Sequence, residues 1–180
     1  MGRFQDADEA AHCEYLCKSS GVPVHYCAEM FANGGCEKVR TYIQSGNVVF
    51  TASPAVARSI AECVGKEICK RLGHEAPVVL RSAEQFAQVI GRNPFAKRKD
   101  FENFSHVLFC SEKLLPSNVK KLNPQRSPGD EFVCREQEIY LWAPNGVGKT
   151  KLTNAYFDGV LKTISTGRNW RTVMKLQSML

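Results

Sequence analysis

Val39-Arg40-Thr41-Tyr42-Ile43-Gln44-Ser45-Gly46-Asn47-Val48-Val49-Phe50-Thr51 sets β-branched and aromatic residues on both sides of Ser-Gly-Asn. Residues of the first kind suit a pleated sheet, and Gly and Asn accept turn conformations. The stretch therefore reads as a hairpin, or as one strand bulged at its glycine. Immediately after it the period changes. Ser53-Pro54 offers an N-cap hydroxyl and a proline for the first helical position, and Val56, Ile60, Val64, Ile68 and Leu72 recur every fourth residue until Gly73. That spacing predicts an amphipathic helix closed by a glycine cap.

Working downstream, Ala76-Pro77-Val78-Val79-Leu80-Arg81 is a short strand, and Ser82-Ala83-Glu84-Gln85 has the spacing of a capping box for a helix through Phe86, Val89 and Ile90, stopped by Asn93-Pro94. Lys97-Arg98-Lys99-Asp100 reads as a solvated loop, with phosphate contact as the alternative. Ser105 to Cys110 is a strand, Pro116 to Leu122 a short helix, and Asn123 to Asp130, with two prolines and a glycine, a loop. Glu131-Phe132-Val133-Cys134 and Glu138-Ile139-Tyr140-Leu141-Trp142 form a hairpin, followed by a Gly-rich loop, a helix beginning near Lys151 and a last helix from about Asn169. The internal hairpin argues against an all-parallel sheet. The order fits an α+β protein of two ferredoxin-like α/β plaits packed together, with mixed or antiparallel sheets: residues 1–92 and residues 93–180.

Upstream the pattern fades. Alternation is poor before residue 36, although Asn33-Gly34-Gly35 reads as a helix stop after Tyr26, Met30 and Phe31. Residues 1–9 lack the apolar core of a secretory signal, and with 43% hydrophobic and 23% charged residues in a chain of 180 no run is long and apolar enough to span a membrane. The expected address is the cytoplasm, with no membrane partner. Eight cysteines make no Cys-x-x-Cys pair, and most are expected as buried free thiols. His12, Cys13, Cys17, His25 and Cys27 can be drawn as a zinc site, but they lack the paired, repeated spacing of structural zinc ligands, so neither metal nor cofactor is expected.

Ala143-Pro144-Asn145-Gly146-Val147-Gly148-Lys149-Thr150 is a relaxed Walker A pattern with Ala in place of the first Gly. A hydrolytic P-loop is not expected from it. The strand before the loop belongs to a hairpin, and the short remainder of the chain has no room for the further β-α-β units that would bring a second acidic motif. The smaller expectation is an anion site, with Asn145, Gly146, Gly148, Lys149, Lys151 and Asn154 offering amides and positive charge before a helix. The opposing reading is a plain turn with solvated lysines. In Thr166-Gly167-Arg168-Asn169-Trp170-Arg171, Trp170 is available to stack a base and Arg168 and Arg171 to hold phosphate. Against that stands Trp170 as core and Asn169 as N-cap.

Tyr42 to Phe50, Asn93-Pro94-Phe95, Pro144 to Gly148 with Lys151-Leu152-Thr153-Asn154, and Thr166 to Val173 together resemble the bacterial "domain of unknown function 1697" family from about Val39 onward. The resemblance implies two α/β plaits and no established activity. The family pattern opens with an apolar strand and an Arg-Gly-Ile-Asn-Val-Gly-Gly-like turn, and then a Pro-initiated helix. Here only Val22-Pro23-Val24 and Ala28-Glu29-Met30-Phe31 echo that helix, so the first strand is expected to be missing or rewritten, exposing a sheet edge.

The leading expectation is a patch joining the Gly-rich loop to Arg168-Asn169-Trp170-Arg171 that binds a phosphorylated small molecule or nucleotide. Binding is favoured over catalysis, because no nucleophile stands beside a base. A net charge of +6 agrees with an anionic partner. Two alternatives belong to other classes: a nucleic-acid-binding plait using Tyr42, Phe50 and Phe109 on its sheet face, and a ligand-free module that forms a homodimer through a sheet edge.

Overall fold

The computed structural model describes residues 11–17, 22, 24–43, 46–74 and 77–180. Two four-stranded antiparallel sheets organise it. The first is built in the order β1 (Ala11–Cys17), α1 (Val24–Asn33), β2 (Glu37–Tyr42), β3 (Asn47–Ala52), α2 (Pro54–Leu72) and β4 (Val78–Ser82), with strands lying β2-β3-β1-β4. After α3 (Ala83–Gly91) and the short α4 (Phe101–Phe104), the second comprises β5 (Ser105–Cys110), α5 (Pro116–Val119), β6 (Glu131–Arg135), β7 (Glu138–Trp142), α6 (Asn154–Leu161) and β8 (Ser165–Asn169), lying β6-β7-β5-β8. The helix α7 (Trp170–Gln177) ends the chain's regular structure. The two halves share one connectivity, β-α-β-β-α-β, and every strand pair is antiparallel.

The period of two along each strand assigns its side chains to different layers. Val48, Phe50 and Ala52 face α1 and α2, packing with Phe31, Ile60, Val64 and Ile68, whereas Val49 between them points the other way. In the second sheet Leu108, Cys110, Ile139 and Leu141 face α6, with Phe157 and Leu161, while Val107, Phe109, Tyr140 and Trp142 turn toward Val49, Val79 and the helices α3 and α7. The middle layer thus draws on both halves. Because β3, β5 and β7 bury side chains on both faces, their sequences read as nearly unbroken apolar runs.

Local signals account for most boundaries. The Ser53 hydroxyl accepts from the Val56 amide, and Gly73 closes α2 in the left-handed region at φ 73°. Ser82 and Gln85 form the reciprocal capping box of α3. β2 and β3 make a hairpin whose last pair is Tyr42 with Asn47. At Gly34 an added Cβ would lie 2.3 Å from Ile60 Cδ1, so a side chain there would force the end of Ile60 to shift where α1 meets α2.

Three expectations change. A first strand exists: β1 lies at the centre of its sheet, paired with β3 (Cys13 opposite Phe50) and with β4 (Tyr15 opposite Leu80), and no edge is vacated by its loss. His12 and Glu14 alternate with Ala11, Cys13 and Tyr15, but the strand is short and carries two cysteines and a histidine, so the signal is weak. The side chains of His12, Cys13 and Cys17, and the turn at 18–21, lie outside the described residues. Secondly, α6 starts at Asn154, after a Thr153 cap, and not near Lys151. Thirdly, Arg98 is no freely solvated cation: it grips Glu131 through two bonds of 2.8 and 2.7 Å and lies over the rings of Phe95 and Trp142.

Candidate functional site

The Gly-rich loop leaves β7 at Ala143 and folds into consecutive turns. The Gly146 amide donates to Ala143 O and the Lys149 amide to Gly146 O, both at 3.0 Å, while Gly146 takes φ 91°. Thr150 is buried and its hydroxyl accepts from the Leu152 amide. A P-loop would need that hydroxyl and those amides for phosphate and magnesium. Here they are used internally, on a loop separated from the helix by Lys151, Leu152 and Thr153.

The loop packs against the 123–130 loop. Ser127 Oγ receives the Lys151 amide at 3.1 Å and the Thr150 hydroxyl at 3.4 Å, and it donates to Asp130 Oδ2 at 2.6 Å. Asn145 Nδ2 closes on Gly129, 3.3 Å from where a Cβ would stand. Arg126 Nε donates to Lys151 O at 2.9 Å, and its guanidinium lies 4.2 Å from the Tyr156 ring centroid. In turn the Tyr156 hydroxyl accepts from the Asn123 amide at 2.7 Å. These contacts leave Arg126, Lys149 and Lys151 exposed on one loop pair, and among the described residues none of the three has a carboxylate partner. The 123–130 loop also borders an open cavity of about 420 Å³ between Pro124 and Phe132, with the carboxylates of Asp130 and Glu131 among its lining.

The second polar stretch is positioned differently. Arg168 is buried, donating from Nε to Asn47 Oδ1 at 2.6 Å and from Nη1 to Thr166 Oγ1 and Gly167 O at 2.7 and 2.8 Å. Asn47 in turn donates to Tyr42 O, so the β2–β3 hairpin of the first sheet is tied to β8 of the second. Asn169 caps α7 by accepting from the Thr172 amide at 2.8 Å. Trp170 lies in the middle layer, edge-on to Phe101 with centroids 4.7 Å apart. Arg171 is exposed and donates to Asn103 Oδ1.

The expected patch therefore joins at one corner only. Asn154 donates to Ser165 O and Ser165 Oγ and lies against Gly167, which brings the start of α6 to β8. Among the described residues no hydrogen bond links 145–149 with 168–171. Sequence reasoning missed Arg126, Ser127 and Asp130, whose only signal was a Pro- and Gly-rich loop composition. It also missed Arg81, which is buried and spans the halves: Nε to Glu138 Oε1 at 2.9 Å, Nη1 to Leu80 O at 2.7 Å, and Nη2 to Cys110 O and Gln137 O at 2.8 and 3.1 Å. Burial lifts the Glu138 carboxyl above its ordinary value, with Arg81 opposing, and pushes the Cys110 thiol up to about 12, which leaves it unreactive.

Of the three aromatics named for a nucleic-acid-binding sheet face, Phe50 and Phe109 are fully buried in different layers of the core, and Tyr42 is half-buried. Among the described residues no helix is long and apolar enough to cross a membrane.

A mixed α+β protein with two antiparallel sheets is what this architecture defines. The family model described as "Protein of unknown function (DUF1697)" matches residues 18–140, more than half of the chain, and the protein belongs to that family. Among solved structures it is similar to the conserved bacterial protein SP0830 from Streptococcus pneumoniae, with a TM-score of 0.69 and 23% identity over 95% of this chain and 98% of the other. That likeness concerns the fold. No curated protein matches the chain.

Proposed function

We propose that the protein consists of two ferredoxin-like plaits, divided near residue 92, and that it binds a phosphorylated small molecule or nucleotide on the loop pair 123–130 and 143–151. Arg126, Lys149 and Lys151 hold the phosphate, with Asn145 as a neutral donor at its edge. The observation that carries the reading is that three exposed cations lie on two loops hydrogen-bonded to each other, none of them in an ion pair among the described residues. Arg126 is already oriented by Lys151 O and Tyr156, so little conformational entropy is lost when an anion arrives. Asn154, Arg168, Asn169, Trp170 and Arg171 serve this reading as the frame behind the loop. The thiols of Cys110 and Cys134, free among the described residues, agree with a reducing cytoplasmic setting.

Isothermal titration with ribose 5-phosphate, ATP and GTP tests it. The expected result is saturable heat from at least one of them, with affinity reduced about tenfold or more by Lys149→Ala or Arg126→Ala, since a hydrogen bond to a charged group contributes about 1.5–3 kcal/mol. No heat from any of the three, or affinity unchanged in both variants, would remove the proposal.

A further inference from the structure

Where α3 meets the β6–β7 turn there is a cleft of about 100 Å³ that the phosphate reading does not use. The buried Arg81–Glu138 pair is part of its lining, α3 and its cap bring Gln88 and Arg92, and the turn brings Glu136 and Gln137. Glu136 stands at φ 47°, in the left-handed region, which is unfavourable for a residue with a side chain. Three hydrogen bonds hold the turn in that shape. Glu136 O accepts from the Leu114 amide at 2.7 Å, and Gln137 O accepts from the Cys110 amide at 2.8 Å and from Arg81 Nη2 at 3.1 Å. Strain fixed in this way in the wall of a cleft sets Glu136 at a defined position, as binding sites require.

Charge then narrows the ligand. Arg81 is already occupied, by Glu138 and by the carbonyls of Leu80, Cys110 and Gln137. Arg92 and Glu136 meet at 3.3 Å with 45% and 60% of their side chains exposed, and among the described residues neither side chain has another partner. So exposed a pair contributes little to stability and opens readily. The lining holds two guanidiniums and two carboxylates, and hence no net charge. A simple anion at Arg92 would face Glu136, and a simple cation at Glu136 would face Arg92. Only a molecule carrying both charges a few ångströms apart exchanges the one exposed pair for two, and the small volume favours a short one. We propose that the cleft binds a free α-amino acid with a small side chain, its carboxylate on Arg92 and its ammonium on Glu136. The Gln88 and Gln137 amides stand beside them, and the site is independent of the phosphate reading.

The test is an amide NMR titration of the full chain with glycine, L-alanine, acetate and methylammonium, the last two carrying each charge alone. The expected result is saturating shifts within residues 81–92 and 136–138 for glycine or L-alanine, with affinity about tenfold or more above that of acetate or methylammonium, as two charged contacts against one require. Arg92→Gln and Glu136→Gln should each weaken amino-acid binding by about tenfold or more while leaving the urea midpoint nearly unchanged, because both side chains are exposed. If a variant does not fold, the four-ligand series on the unaltered protein decides alone. No saturating shift with either amino acid, acetate or methylammonium binding as tightly, or affinity unchanged in either variant would overturn the inference.

Discussion

Removing the Arg168 guanidinium would take a charged donor in the interior away from Asn47 Oδ1 and Thr166 Oγ1. Arg168→Ala is expected to lower unfolding free energy by about 2–3 kcal/mol, and a double-mutant cycle with Asn47→Ala to give a coupling of about 1 kcal/mol or more in urea denaturation. Additive losses would mean that the contact across the halves carries nothing. Arg81 permits a sharper test because its partner titrates. Burial raises the Glu138 carboxyl above 4.5, so the folded state retains a proton that the unfolded chain has released; the associated stability is full below about pH 4.5 and declines as pH rises through the folded value. Arg81→Ala removes the opposing charge and strengthens that decline. Its cost relative to wild type should be about 3–5 kcal/mol at pH 7 and clearly smaller at pH 4, measured by urea unfolding at each pH. A cost independent of pH would show that Glu138 is not the group left exposed to burial. The motif by itself points Arg168 at phosphate and Trp170 at a base. Its residues are plain in the sequence, but whether a guanidinium meets ligand or protein depends on Asn47, 121 positions away.

Elements declare themselves where the signal is local. The α2 period, its Ser53 and Gly73 ends, and the Ser82–Gln85 box need only neighbours within one turn, and each is readable. Asn169→Ala should cost about 1 kcal/mol through loss of the α7 cap, read as a lowered urea midpoint with unchanged slope. Gly34→Ala should cost more than an ordinary helix-end substitution, because Ile60 must move to admit the Cβ. An unchanged urea midpoint in either variant would refute the packing assigned to that end. β1 escapes reading because its partners are distant in sequence: Ala11 meets Ala52 and Cys17 meets Val78, and no local turn signal ties it to either. The start of α6 is obscured for a related reason. Lys149 and Thr150 look like the mouth of a helix in sequence, yet Thr150 is held by Ser127 from another loop.

At the scale of the whole molecule, the middle layer decides behaviour. Val49 and Val79 of the first half pack with Val107, Phe109 and Tyr140 of the second, and the Tyr140 hydroxyl donates to Val89 O at 2.9 Å. Equilibrium unfolding should therefore be a single transition by fluorescence and circular dichroism, and a fragment of residues 93–180 alone should expose apolar surface and aggregate or remain unfolded. Two separated transitions would contradict the shared layer. The same arrangement limits where a ligand can reach: β3, β5 and β7 bury side chains on both faces, which leaves the loops at the sheet ends accessible. Backbone amide NMR during titration with ribose 5-phosphate tests that claim most directly. The account predicts shift changes concentrated at residues 124–131 and 145–152, and their disappearance in a Lys149→Ala, Lys151→Ala double variant that keeps the rest of the spectrum. Shifts centred on 166–171, or none at all, would contradict it.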